Sequence, residues 1–400
     1  MEEFLPLGFS DIEMYAVAVL LLLFVGIVVV SVRRRKAVSD YAADNPFDPD
    51  EDIPGLPGLS VIVVAGRGCS NLEACIAAIS TQDYPDFEII VVATESPEEP
   101  TTDIIRLCAE YPNVRTTFTP ETASGVSVRK LAITLGVKAS TRDFVVVTSA
   151  NCTPQSNYWL KSIGRHFAGY DDIVLATVRP EAAAYTGFGR RYRSYDRVMD
   201  TVRYLAAAVH GHPFRGDGRN IAYRKSLFFE NKGFHTSLNM KFGDDDIFVS
   251  EIAHRGNSAI EVSPESMLTD NGGDYAYRYR LEKMRRYFTL RQSAFGVLWS
   301  GKLLSAVYYS YLLATGGVLA YALYLFVDSG NLLKAFILGG FAVALYLASV
   351  FTHIAGYRRM AGLLGRKKLF FSVPLFRFVR PFVNGYFASR ADRAGNFTWE

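Results

Sequence analysis

The run from Met14 to Val32 carries no charge. As a helix rising about 1.5 Å per residue, it is long enough to cross a hydrocarbon core of about 30 Å. Glu2, Glu3, Asp11 and Glu13 precede it, and Arg33-Arg34-Arg35-Lys36 follow at once. Positive flanks stay on the cytoplasmic side, so the N-terminus is expected outside and residue 33 onward inside. A cleaved signal peptide shows the opposite charge order and a shorter apolar core.

Two further apolar runs, 303–327 and 335–351, lie near the end and are joined tightly by Asp328-Ser329-Gly330-Asn331. Arg285, Arg286, Arg291 and Lys302 stand before the pair, and Arg358, Arg359, Arg366, Lys367 and Lys368 after it. Both flanks therefore belong inside. The expected organisation is an outer tail 1–13, a span 14–32, a linker 33–58 and a domain 59–290. Spans 303–327 and 335–351 follow, then an inner tail 352–400. Within that tail, 369–388 is apolar but interrupted by Pro374, Arg377, Arg380 and Pro381, and is expected to lie in the membrane interface. The formal net charge is only +3 and the basic residues gather beside the spans. That pattern suits anionic lipid headgroups and argues against a nucleic-acid partner. Cys69, Cys75, Cys108 and Cys152 show no metal-type spacing and suit a reducing compartment.

Between the spans, short β-branched runs alternate with helical patterns. Ser60 to Ala65, Phe87 to Val92, Val114 to Phe118 and Phe144 to Val147 read as strands. Asn71 to Ser80, Thr101 to Tyr111 and Ser127 to Lys138 read as helices. Such alternation predicts an α/β domain with a mostly parallel sheet. Ligands in these sheets bind beyond the carboxyl ends of the strands, here after Ala65, Val92 and Val147.

Two later stretches carry candidate chemistry. Phe242-Gly243-Asp244-Asp245-Asp246-Ile247 places three carboxylates before an apolar, helix-like run. Helix capping accounts for such a triplet without chemistry, and an active-site acid/base group is the alternative. Lys283-Met284-Arg285-Arg286-Tyr287 is read either as a basic juxtamembrane helix or as a cationic wall for a phosphorylated substrate. Lys130 reads as a surface lysine, and Asp217 with Arg219 as a polar loop or part of the acceptor side.

Ser60-Val-Ile-Val-Val-Ala65, Gln82-Asp-Tyr-Pro85, Gly218-Arg-Asn-Ile-Ala-Tyr223, Lys232-Gly-Phe234, Gly243-Asp-Asp-Asp246 and Lys283-Met-Arg-Arg-Tyr287 occur in the order seen in family-2 glycosyltransferases. The chain resembles that family over about 59–287, and its Gly-Asp-Asp-Asp form is similar to a bacterial membrane-bound subgroup. The resemblance implies a GT-A-like nucleotide-sugar-binding domain and transfer with inversion at the anomeric carbon. It assigns the base to Asp245, with Asp244 beside it. It assigns substrate contacts to Lys283, Arg286 and Tyr287, which stand in place of a Gln-x-x-Arg-Trp motif, and to Asp246 and Glu95. The Asp-x-Asp motif that would hold Mg²⁺ or Mn²⁺ is replaced by Ser149-Ala150-Asn151. A hydroxyl and an amide are poor ligands for a hard divalent cation, so weak or no metal binding is expected at Ser149 and Asn151.

The reading is thus a transferase of the bacterial inner membrane, with its catalytic domain in the cytoplasm. Its donor would be a nucleotide-diphospho-sugar, and its acceptor lipid-linked or a glycan. A pseudo-transferase scaffolding an envelope complex, and more remotely a lipid-binding adaptor, are the alternatives.

Overall fold

A computed structural model describes residues 8–66, 71–94, 104–106, 109–119, 127–180, 187–273 and 275–391. Glu95, Cys69 and, within the helix expected at 101–111, residues 101–103, 107 and Cys108 lie outside them.

Strands β1 (Leu59–Ala65), β2 (Phe87–Ala93), β3 (Val114–Phe118) and β4 (Phe144–Ser149) form where the β-branched runs stand. They pair in parallel in the order β3-β2-β1-β4. Strand β8 (Ile221–Arg224) joins β4 antiparallel, and β6 (Ile173–Leu175) and β9 (Ser258–Ile260) extend the sheet to seven strands. A second sheet pairs β5 (Cys152–Pro154), β10 (Leu268–Asp270) and β7 (Val178–Pro180).

Alternation along each strand feeds two cores, one per face. Val61, Val63, Ile89, Val91 and Val146 pack on one side under α2 (Leu72–Ser80) and α4 (Trp159–Ala168). Ile62, Val64, Ile90, Val92, Val145 and Val147 pack on the other. That side is covered by α3 (Val128–Ala139) and α5 (Phe188–Val209). The short α6 (Lys225–Glu230) and α7 (Ile247–Ile252) complete the domain.

Among the described residues, three helices are long and apolar enough to cross a membrane: α1 (Asp11–Asp44), α9 (Phe295–Val327) and α10 (Leu332–Leu363). Leu20, Ile27, Tyr311, Val318, Leu338 and Ala342 pack them together. At one end Lys334 Nζ stands 2.7 Å from Glu13 Oε2, and Tyr321 donates to Glu13 Oε1 at 2.8 Å. The first helix does not stop at the basic cluster. It runs on to Asp44, so the start of the segment read as a linker is helical. Val38, Tyr41 and Ala42 supply the reason, because their helical spacing presents an apolar edge to the domain core.

Helix α8 (Ala276–Ser293) leads from the domain to α9, and α11 (Val373–Ala391) packs back against it. Leu290, Leu364, Leu369, Val373 and Phe376 join the sheet-side core, so the C-terminal helix is part of the domain's packing.

Candidate functional site

The aspartate triplet sits in a turn that only glycines allow. Gly243 has φ +114°, in the region side chains disfavour. A Cβ on Gly218 would stand 2.9 Å from Asp245 Cβ and 3.1 Å from Asp244 Oδ2, so the 218–223 motif lets the aspartates approach. Gly216 N donates to Asp245 O at 2.7 Å and locks the two loops together.

The three carboxylates then part ways. Asp246 caps α7, accepting from Ile247 N at 2.9 Å and from the Thr289 hydroxyl. Asp244 accepts from Arg129 Nε at 2.6 Å. Asp245 Oδ2 accepts from Arg285 Nη2 at 2.9 Å, while its Oδ1 is buried with no partner among the described residues. Burial raises the Asp246 carboxyl, and the neighbouring Asp245 raises it further, to about 6. Burial works on Asp244 too, but Arg129 and Arg285 outweigh it and hold that carboxyl below its ordinary value.

Asp245 borders a cleft of about 250 Å³. Its wall holds six arginines (Arg129, Arg215, Arg219, Arg278, Arg285 and Arg286) against Asp217, Asp245 and Glu282. Ser149, at the carboxyl end of β4, borders it as well. The excess positive charge sits where an α/β sheet presents its ligands. Arg215 is 7% exposed, and its Nε has no hydrogen-bond partner among the described residues.

The phase of α8 decides which of its residues reach this cleft. Arg278, Leu281, Glu282, Arg285 and Arg286 follow helical spacing along one face and line it. Tyr279, Lys283, Tyr287 and Leu290 follow the same spacing on another face and are buried. Lys283, expected at the substrate, is instead 2.6 Å from Asp196 Oδ2 and 2.8 Å from Asp200 Oδ2 on α5. Arg380 of α11 clasps the same two carboxylates at 2.7 and 2.5 Å. Tyr279 donates to Asp196 at 2.7 Å. Tyr287, expected at the substrate by the same resemblance, lies under Lys283 in this buried cluster. Arg286 spans both regions, lining the cleft and standing 3.5 Å from Asp200.

Lys130 is buried, not at the surface. Its ammonium donates to Ser237 Oγ at 2.9 Å and Met240 O at 3.0 Å, bracing the chain just before the aspartates. Burial brings its pKa down to about 8, against the pull of Asp244, Asp246 and Asp245. Arg219 forks onto Asp217 at 2.9 Å and reaches Asp270 at 2.6 Å, so both of those carboxylates are spoken for.

A divalent cation does not fit the donors here. Ser149 and Asn151 offer neutral oxygens, the nearby Asp217 is tied to Arg219, and no group of three metal-ligating side chains occurs among the described residues. Arg129, Arg215, Arg278 and Arg285 were not assigned to a binding site from the sequence. Arg278 and Arg285 could have been found by projecting α8 onto a helix from Arg286.

Glycosyl transferase family 21 matches residues 17–384 by its sequence model. No curated protein matches the sequence. Among solved structures the fold is similar to the mannosyltransferase PcManGT from Pyrobaculum calidifontis in complex with GDP-Man and Mn²⁺. The TM-score is 0.51 at 17% identity, covering 94% of this chain and 96% of that one. TarS 1–349 of S. aureus in complex with UDP-GlcNAc gives a TM-score of 0.39 at 13% identity, with 84% and 90% covered, too low to compare folds. The family match takes in the first membrane helix, the domain with its aspartate cleft, the span pair and most of α11, and the chain belongs to glycosyl transferase family 21.

Proposed function

We propose that this protein transfers a sugar from a nucleotide-diphosphate donor to a lipid-linked or glycan acceptor, with inversion, at the cleft beside Asp245. One observation carries the reading: a buried carboxylate oxygen, Asp245 Oδ1, has no partner among the described residues at the edge of an arginine-lined cavity. An unpaired buried acceptor is costly unless something fills it, and an acceptor hydroxyl is the group that would. In the transfer step Asp245 takes the hydroxyl proton as that oxygen bonds to the anomeric carbon. The bond from that carbon to the diphosphate breaks, and its electron pair leaves on the diphosphate oxygen. Arginines preset around that oxygen stabilise the charge as it develops. Arg285 fixes the Asp245 carboxylate from behind, leaving Oδ1 for the proton.

The likeness to a transferase holding GDP-Man with Mn²⁺ supports a nucleotide-sugar donor. The motif order shared with family-2 enzymes supports inversion. Metal chemistry has less support, since Ser149 and Asn151 replace the acidic pair and six arginines supply positive charge instead. The charge flanks of the spans support a catalytic domain on the inner face of a bacterial cytoplasmic membrane. Those neutral residues at 149 and 151 also favour the second reading, a transferase fold retained as a scaffold in envelope assembly.

Calorimetric titration of GDP and UDP into the full chain in neutral detergent separates these readings. Binding is expected for at least one nucleotide and should change little with EDTA. Replacing Ser149 and Asn151 together by Asp should raise Mn²⁺ affinity. Tight, EDTA-sensitive binding would place a metal on other residues, and absence of binding would favour the scaffold.

A further inference from the structure

A second, larger cavity of about 310 Å³ lies where α1, α5, α9, α10 and α11 meet. Its walls differ from those of the cleft. Ile27, Leu298 and Leu304 give it an apolar side, and Arg34, Arg203, Lys302, Arg377 and Arg380 give it five cations. No carboxylate of the described residues lines it. Of the five, Arg380 alone forms an ion pair with carboxylates among the described residues. The partners of Arg203, Arg377 and Lys302 are neutral. Arg203 donates to Val297 O. Arg377 donates to Ser349 Oγ at 3.0 Å and lies over the Tyr308 ring. Lys302 lies over Trp299.

His353, 6% exposed, also faces this space. Its Nε2 hydrogen-bonds the Tyr195 hydroxyl at 2.8 Å, and its Nδ1 is buried with no partner among the described residues. Burial takes the Arg203 guanidinium down to about 10, and although Asp200 opposes this, the charges of Arg380 and Arg34 add to it. Arg34, Arg203, Arg377 and Arg380 are half-buried and Lys302 is exposed, and cations gathered with too few anions among them call for a negative ligand. Their place, between the basic end of the first span and the amphipathic C-terminal helix, is the depth of lipid headgroups.

The cavity also adjoins the cleft. A pocket of about 20 Å³ shares Arg203 and Tyr287 with the membrane-side cavity, and shares Arg215 and Arg286 with the cleft. We propose that the membrane-side cavity seats a lipid bearing a phosphate headgroup, held by Arg34, Arg203, Lys302 and Arg377, with its chains against Ile27, Leu298 and Leu304. The site gives the acceptor side of the proposed transfer a lipid class, and its occupancy is measurable apart from transfer.

The full chain in dodecyl maltoside, offered equal amounts of dioleoylphosphatidic acid, dioleoylphosphatidylglycerol and dioleoylglycerol, is read by native mass spectrometry. The two phosphate lipids should be retained about tenfold over dioleoylglycerol, since guanidinium–phosphate bonds are among the strong charge-assisted contacts. The better retained of the two identifies a monoester or a diester headgroup. Arg34→Gln with Arg377→Gln should abolish the preference, while Arg34→Lys with Arg377→Lys keeps most of it. An unchanged GDP titration of the glutamine variant shows that the fold and the cleft survive. Equal retention of dioleoylglycerol would overturn the proposal. So would a preference that persists in the glutamine variant, or displacement of the lipids by excess inorganic phosphate, which would mark a free-phosphate site. GDP binding could fail in the wild type with the lipid preference intact, which would sink the transferase reading and leave this site standing.

Discussion

Two aspartate clusters lie on either side of α8, and they differ in how completely they are satisfied. Asp196 and Asp200 meet Lys283 and Arg286 of α8 and Arg380 of α11, and Tyr279 donates to Asp196 as well. Asp244 and Asp246 are likewise satisfied, but Asp245 keeps one oxygen unpartnered among the described residues beside a cleft. A saturated buried network fixes structure, because any missing member leaves a charge stranded. An unsaturated one leaves an oxygen available to a substrate. A single stretch, 283–287, feeds both, with Lys283 and Tyr287 structural and Arg285 and Arg286 facing the cleft.

The largest effect should come from breaking the saturated cluster. Asp200→Ala leaves Lys283 and Arg380 to share Asp196 alone and should destabilise the chain by about 3–5 kcal/mol, read as a large drop in the thermal midpoint in detergent. Burial alone would raise the Asp200 carboxyl, but Lys283, Arg380 and Arg286 outweigh it and hold it well below the usual range. Its folded pKa is therefore depressed. The stability it contributes is present above about pH 4, its unfolded value, and is lost only as pH falls well below that. A midpoint indifferent to Asp200→Ala at pH 7 would contradict the structural role.

The pH response of the unsaturated cluster has the opposite sign. Asp246 titrates near 6 in the fold. Its folded pKa is raised, so stability present below about pH 4 is lost as pH rises through 6. Asp246→Asn can still accept from Ile247 N, and it removes that loss. The variant should match the wild type near pH 4 and exceed it by at most about 3 kcal/mol above pH 7, in parallel denaturant melts. A gain at acid pH instead would reverse the assignment.

The smallest effect is on affinity. Arg215→Gln removes one cation from the cleft and should weaken GDP or UDP binding roughly tenfold, with little change in the thermal midpoint. Lys283→Gln should do the reverse, costing stability more than affinity. If both variants lost affinity equally, the division of α8 into two faces would be wrong.

How much of this was legible in the sequence depends on separation along the chain. The β-branched runs at 60–65, 87–92 and 144–147 announced β1, β2 and β4, because their burial on both faces is written in consecutive residues. The three-residue strands β6, β7, β9 and β10 carry too few residues to show a period. Gly243 and the aspartates were visible as a helix start or an acid/base site, but the partner of each aspartate was not. Lys283 finds Asp200 across 83 positions, and Lys130 finds Ser237 across 107. Nothing local marks such pairs, so one lysine was read as a ligand contact and the other as a surface residue. Aligning 283–287 to a motif also hid Arg285, which the helical period would have placed beside Arg286.

The central claim is that Asp245 is kept incomplete for chemistry, and Asp245→Asn tests it with two readings on one sample. Membranes containing the wild type or the variant are supplied with a panel of GDP- and UDP-sugars. Release of nucleoside diphosphate is followed alongside the thermal midpoint of the purified chain. Release should fall by about 10²–10⁴-fold, the usual contribution of a general base, with GDP binding kept and the midpoint nearly unchanged. Release at the wild-type rate, or a midpoint that falls as far as that of Asp200→Ala, would contradict it.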